Sequence, residues 1–335
     1  MKIIVTMMIL FFTLDAKDYT KKTDVQKFIK VLHKEYKLET KYLKKLFSSV
    51  KVSHSALKAF RPRPKVKKTP QEIARLKKLY PKHGAWDRYS KHKVTSRRVK
   101  DGVAFLKKHQ KTFEKVEKKF GVPKEYIVAI IGIETVYGKN VGKYPVFDTL
   151  TTLSFETNRR NKFFKKELKK FIRLSQTQKF NPKNVYGSYA CAIGLGQFMP
   201  SNYEAYGVDF NGDGRITLQK ADDAIASIAN YFKKNGWRTG ELVATQVSYK
   251  GNRFTRYKTG YTTTYNRKDL KGISPKKWWN YKDKVRLIKL DKKEYDELWY
   301  GAKNFFVITR YNHSAYYAMS IHKLATQIKE KMNQK

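Results

Sequence analysis

One short apolar run within the chain carries a single carboxylate. Residues Tyr126 to Tyr137 read Y-I-V-A-I-I-G-I-E-T-V-Y, and Glu134 is their one charged side chain. Twelve such residues exceed ordinary strand length, Pro123 suits a first helical position and Gly138 a C-terminal cap, so the run predicts a helix. Apolar side chains occupy every face of it, and a helix of that kind is buried on all sides. The rest of the chain must therefore supply enough apolar surface to enclose it. With 335 residues, 41% of them apolar, it can do so as one large domain or two modest ones. A carboxyl group enclosed in this way loses hydration, which disfavours its charged form and raises its pKa, the condition for a general acid at neutral pH. Glu134 is the leading catalytic candidate. The alternative is a structural Glu paired with one of the many Lys or Arg residues.

Charge narrows the partners. The formal net charge is +45, and the Lys and Arg residues are spread along the whole chain. Such a field attracts polyanions: nucleic acid, anionic lipid headgroups, or a cell-wall polymer bearing carboxylates. The even spread argues against a dedicated nucleic-acid arm. Residues 1 to 16 carry one Lys, an apolar core from Ile3 to Leu14, and Ala16, a secretory signal pattern too short for an ordinary membrane span. Cleavage after Ala16 and retention as an uncleaved anchor are both open. No Cys follows the apolar core, so N-terminal lipid attachment is not expected. The one cysteine, Cys191, excludes an intrachain disulfide and a Cys-rich metal site.

Taken in order, Thr23-x-x-Gln26 reads as a capping box opening an amphipathic helix on Val25, Phe28, Ile29 and Leu32. A second helix runs from Leu38 to Phe47, and Arg61-Pro62-Arg63-Pro64-Lys65 is an extended basic connector. One long helix is predicted from Thr95 to Phe120 and a surface helix from Arg160 to Leu174. The glycine-rich stretch Gly187 to Tyr206 lets backbone approach a partner closely. Its polar groups, Ser188 and Gln197, suit a sugar, while small residues also suit a tight helix crossing. From Asp209 the chain reads D-F-N-G-D-G-R-I-T-L, with Asp209, Asn211 and Asp213 at positions one, three and five of an EF-hand loop, Gly214 at six and Ile216 at eight. Position twelve is Lys220 where a Glu is expected, so Asp222 or Asp223 would have to close the shell; a plain Asp/Gly turn is the other reading. A helix from Asp222 to Asn235 follows. Segments Leu242 to Tyr249, Tyr261 to Asn266, Val285 to Leu290 and Phe305 to Tyr311 read as strands, and a final helix spans Ser314 to about Lys331.

Together, I-G-I-E-T-x-x-G around Glu134, L-S-F, G-Q-F-M-P-S, D-x-x-G-D-G, N-Y-F and R-Y-N-H-S resemble, in order and approximate spacing, the lytic murein transglycosylase B family. The resemblance runs from about Val25 to the last helix. It implies a mainly α (α+β) protein: a lysozyme-like helical core crossed by a cleft, flanking N- and C-terminal helices, and a small antiparallel sheet inserted near the C-terminus. The expected division is a signal peptide at 1–16, an N-terminal helical segment and linker at 17–95, a catalytic core with the calcium loop at 96–240, a sheet subdomain at 241–313, and a C-terminal helix at 314–335.

The resemblance also implies site roles. Glu134 matches the catalytic acid/base; Arg159, Arg160, Ser188, Gln197, Tyr231, Tyr311, Asn312 and Tyr317 match substrate contacts. Calcium would be held by Asp209, Asn211, Asp213, the Arg215 carbonyl and Asp223. The implied activity is non-hydrolytic cleavage of the MurNAc–GlcNAc bond of peptidoglycan to 1,6-anhydro ends, with no organic cofactor. The alternatives are a hydrolytic muramidase and a basic wall- or nucleic-acid-binding protein without catalysis. Expected partners are glycan strands and cell-wall synthesis or remodelling proteins, with the chain a periplasmic monomer.

Overall fold

The computed structural model describes residues 16–62, 68–251 and 253–334. The signal pattern up to residue 15 and Arg63 to Lys65 of the basic connector lie outside these. The protein is mainly helical with a small antiparallel sheet near the C-terminus, as expected. It divides into two compact units, described separately below. The first takes in the described part of Met1–Arg63 with Gly142–Ala192 and Met199–Ser201; the second takes in the described part of Pro64–Val141 with Ile193–Phe198 and Asn202–Lys335.

The first unit is organised on the Val146–Phe155 helix, whose residues 146 to 154 are all buried. The Asn161–Thr177 helix packs against it with Phe164, Leu168, Phe171 and Ile172 inward. The Thr23–Tyr36 and Thr40–Phe47 helices add Phe28 and Phe47, which meet the Phe155 ring edge-on at 5.5 and 6.3 Å. The capping box at Thr23 does not form. The helix starts at Thr23 itself, with Lys22 as its N-cap, and the Gln26 amide donates to the Thr20 carbonyl. Lys22 fixes the entry instead, because its ammonium is held by the Phe155 carbonyl and by Glu156.

In the second unit the Lys124–Thr135 helix is enclosed by the Ser96–Lys108, Gln110–Phe120, Ala221–Lys234 and Ala315–Asn333 helices. Ile127 to Ile133 are all buried, the all-round burial that the sequence predicts. The long helix expected from Thr95 is two helices broken at His109. The break turns Phe105 and Phe113 toward one another, edge-on at 6.2 Å, where a straight helix would carry them past each other.

The sheet has the order Ile273–Pro275, Ala244–Tyr249, Asp296–Gly301, Arg286–Asp291, with every pairing antiparallel. Two expected strands are corrected. Tyr261 to Asn266 contributes only the single bridge Tyr265↔Val285. Phe305 to Tyr311 belongs to a helix, Lys303–Tyr311, which buries Asn304, Phe305, Val307, Ile308 and Thr309. A short apolar run carries no periodicity that separates the two conformations, and here helical burial prevails. The last helix, Ala315–Asn333, therefore follows another helix.

The Glu134 helix ends earlier than Gly138 suggests. Val136, Tyr137 and Gly138 all take left-handed backbone, with φ of 53°, 59° and 89°. A β-branched residue in that region is strained by about 1–3 kcal/mol. Neighbouring bonds hold it: the Val136 N–H donates to the Gly132 carbonyl and the Gly138 N–H to Thr135 Oγ1. The reversed chain lays the Tyr137 ring against Gly102 and Gly132, and its hydroxyl donates to the Arg98 carbonyl at 2.7 Å. A Cβ at Gly132 would stand 2.5 Å from that hydroxyl and 2.6 Å from the ring carbon bearing it. Gly132→Ala is therefore expected to lower stability by about 1–3 kcal/mol, read as a fall in the urea midpoint. An unchanged midpoint would mean that Tyr137 moves aside freely.

Candidate active site

Glu134 stands one residue before the end of its helix, where the apolar enclosure gives way to polar groups. Tyr317, buried in the first turn of the Ala315–Asn333 helix, donates its hydroxyl to Glu134 Oε1 at 2.6 Å. Burial raises the Glu134 pKa; the Tyr317 hydrogen bond and the charge of Lys93 pull it back, and the net direction is upward. Burial also pushes the Tyr317 hydroxyl well up, with the Glu134 charge adding to it, so Tyr317 remains a donor throughout the ordinary pH range.

Tyr311 lies nearly parallel to Tyr317, with ring centroids 6.4 Å apart and an interplanar angle of 10°. Its hydroxyl donates to the Gly196 carbonyl at 2.5 Å. A Cβ at Gly196 would lie 2.8 Å from that oxygen, so the glycine admits the tyrosine. Tyr231 is buried behind this layer, meeting the Tyr311 ring edge-on at 4.8 Å. The glycine-rich stretch is tied to the Glu134 helix by Thr135, whose Oγ1 lies 3.2 Å from the Leu195 carbonyl and 3.0 Å from that of Ile131. Gln197 has left-handed backbone, φ 52°, and donates its amide to the Val141 and Gly194 carbonyls, each at 3.1 Å. What its side chain can offer a ligand is chiefly its carbonyl oxygen. Asn312 is exposed in the short connection between the last two helices.

Ser188, Arg159 and Arg160 belong to the first unit. Ser188 Oγ accepts from the Ala192 N–H at 3.1 Å, closing a tight turn. Arg159 and Arg160 are exposed, with their guanidinium groups over Phe60 at 5.8 Å and Phe163 at 4.2 Å. Two carboxylates near Glu134 in sequence have structural partners in this unit. Asp148 pairs with Lys183 at 2.7 Å. Glu156 receives Lys17, Tyr19 and Lys22; burial pulls its pKa up, but these three bonds outweigh that and leave it lowered.

Tyr89 and Lys93 were not expected. Tyr89 lies on the Ala85–Ser90 helix, which has too few apolar residues for a periodic pattern. The Lys93 ammonium lies 5.3 Å from the Tyr89 ring centroid. Burial lowers the Lys93 pKa against the opposing pull of Glu134, and burial together with Glu134 raises that of Tyr89. The four-residue spacing of this Tyr and Lys was the only signal available in the sequence.

In the Asp209 loop, Asp209 accepts from the Gly212 and Gly214 N–H groups, and Asp223, fully buried, accepts from those of Phe210 and Thr217. Among the described residues no three His, Cys, Asp or Glu side chains form a ready metal cluster. The expected donor set mixes three Asp with an Asn and a carbonyl.

Comparison with known proteins gives the family. Residues 20–326 match the family described as Transglycosylase SLT domain. The membrane-bound lytic murein transglycosylase B of Escherichia coli K12 is 35% identical over 313 residues, covering 93% of this chain and 84% of that protein. The chain belongs to the lytic murein transglycosylase B family. Among solved structures, the E. coli lytic transglycosylase Slt35 in complex with calcium is 34% identical with a TM-score of 0.84, covering 96% of this chain and 97% of that one. Soluble SltB1 of Pseudomonas aeruginosa is 37% identical with a TM-score of 0.81, covering 92% and 99%. This family member is thus an enzyme of peptidoglycan.

Because the Tyr317 hydroxyl favours the charged form of Glu134, removing it raises the Glu134 pKa further. Tyr317→Phe is expected to move the alkaline limb of kcat/KM on purified murein to higher pH and to lower kcat by roughly tenfold. A limb that stays in place or moves to lower pH would contradict the assignment.

Proposed function

We propose that the enzyme cleaves the bond between N-acetylmuramic acid and N-acetylglucosamine without water, with Glu134 as acid and then base. The observation that carries this reading is the Glu134 carboxyl, raised in pKa by burial and accepting a 2.6 Å hydrogen bond from Tyr317, whose own hydroxyl is also pushed up by burial. Ordinary glycosidases use two carboxyl groups; Asp148 and Glu156 are both engaged by Lys residues in the first unit. One carboxyl suffices when the substrate supplies its own nucleophile. Glu134 gives its proton to the glycosidic oxygen as the C1–O bond breaks. The resulting carboxylate takes the proton of the muramic acid 6-hydroxyl while that oxygen bonds to C1. The ring closes to the 1,6-anhydro product, and Glu134 ends protonated.

Gln197, Tyr311, Asn312 and Tyr317 serve in this reading as sugar contacts that hold the 6-hydroxyl in reach. Tyr231 supports Tyr311, and the family resemblance gives Ser188, Arg159 and Arg160 as further glycan contacts. The net charge of +45 complements a polymer rich in carboxylates. Acting on murein requires delivery to the cell envelope, which accords with the export pattern of residues 1–16; among the described residues no helix is long and apolar enough to cross a membrane.

Asp209, Asn211, Asp213, the Arg215 carbonyl and Asp223 would hold calcium. They form an all-oxygen set suited to a hard cation, and the Slt35 relative was solved with calcium. The ion would act structurally, pinning the loop to the start of the Ala221–Lys234 helix.

Mass spectrometry of fragments released from purified peptidoglycan tests the reaction. The parent enzyme is expected to release anhydro-muropeptides, and Glu134→Gln to lose at least about a hundredfold in rate. Reducing-end products would instead establish a hydrolytic muramidase.

A further inference from the structure

The Asp209 loop carries a positive charge at position twelve, where an ordinary calcium loop has a carboxylate. Asp209, Asp213 and Asp223 contribute six carboxylate oxygens. Both oxygens of Asp209, both of Asp223 and Oδ1 of Asp213 each accept one main-chain N–H. A single donated hydrogen leaves such an oxygen further lone-pair capacity, so these five can turn a lone pair to a cation. Asp213 Oδ2 differs: it receives the Lys220 ammonium at 2.8 Å and the Asn211 amide at 3.1 Å. Lys220 stands at loop position twelve, where a bidentate Glu would otherwise complete the shell. Its backbone is fixed as the N-cap of the Ala221–Lys234 helix and by its N–H to the Thr217 carbonyl at 2.8 Å, and from there its side chain reaches back across the loop.

We propose that Lys220 is a tethered cation that competes with calcium for Asp213, holding the loop closed without metal and weakening its calcium affinity. This rests on the reading of Asp209 to Asp223 as a calcium loop. Affinity in such loops follows ligand charge and site rigidity. Three carboxylates bring three negative charges, and one ammonium on Asp213 cancels one of them while repelling the incoming ion. The loop is thereby built to keep its shape when calcium is scarce.

The test is calorimetric titration of CaCl2 into the metal-stripped full chain, with melting curves in chelator and in calcium. Lys220→Gln removes the charge and Lys220→Arg keeps it. Lys119→Gln serves as a control, because the Lys119 ammonium lies 5.7 Å from the Phe210 ring within the same neighbourhood. Lys220→Gln is expected to bind calcium roughly three- to tenfold tighter and to show a larger calcium-induced rise in Tm, with Lys220→Arg and Lys119→Gln near the parent. Unchanged affinity in Lys220→Gln, or equal tightening in Lys119→Gln, would overturn the role of Lys220 and leave the calcium loop standing. No heat and no melting shift in any of the four proteins would overturn the calcium reading, and the inference with it.

Discussion

The loss of hydration at Glu134 is the constraint on which the second unit depends. Enclosing its helix takes four others, two of which carry Tyr231 and Tyr317; Tyr311, the last residue of the Lys303–Tyr311 helix, lies between these two rings. Water would stabilise the Glu134 carboxylate and leave an ordinary weak acid. The enclosure removes most of that water and substitutes one short hydrogen bond, so the group keeps its proton to higher pH than a solvated carboxyl and is still stabilised as the anion it becomes.

Holding the carboxyl there costs the backbone some strain. Val136, Tyr137 and Gln197 all have left-handed φ, and all three flank the candidate site. Each is held by bonds outside its own residue: Val136 by the Gly132 carbonyl, Tyr137 by the Arg98 carbonyl, and Gln197 by Val141 and Gly194. Strain of this kind persists only where surrounding contacts over-determine it. The small residues of the glycine-rich stretch therefore serve two purposes: Gly196 makes room for Tyr311, and the Leu195 carbonyl ties the stretch to Thr135.

The Glu134 helix was legible in the sequence because an apolar run longer than an ordinary strand is stable only as an enclosed helix, and one carboxylate stands out within it. The loop from Asp209 was legible through its spacing of Asp, Asn and Gly. The helix at Lys303–Tyr311 was not, since a short run of Phe, Val, Ile and Thr suits a strand equally well and only its packing chose. The break at His109 was hidden because Val99 and Phe120 keep a helical stripe across it. Tyr317 entered through family resemblance alone; no local feature marks which tyrosine of Tyr316 and Tyr317 faces the carboxyl, and the structure turns Tyr316 to Trp86 and Tyr89 instead. Lys93 acts on Glu134 from far away in the chain, a relation that only the folded unit creates.

The most direct measurement is a 13C NMR titration of the Glu134 side-chain carboxyl carbon, assigned by its absence in Glu134→Gln. The account predicts a midpoint above the ordinary glutamate value of 4.5, with the carboxyl still partly protonated where a solvated glutamate has ionised. A midpoint at or below that value would contradict it, because a carboxyl already ionised at neutral pH could not donate the first proton.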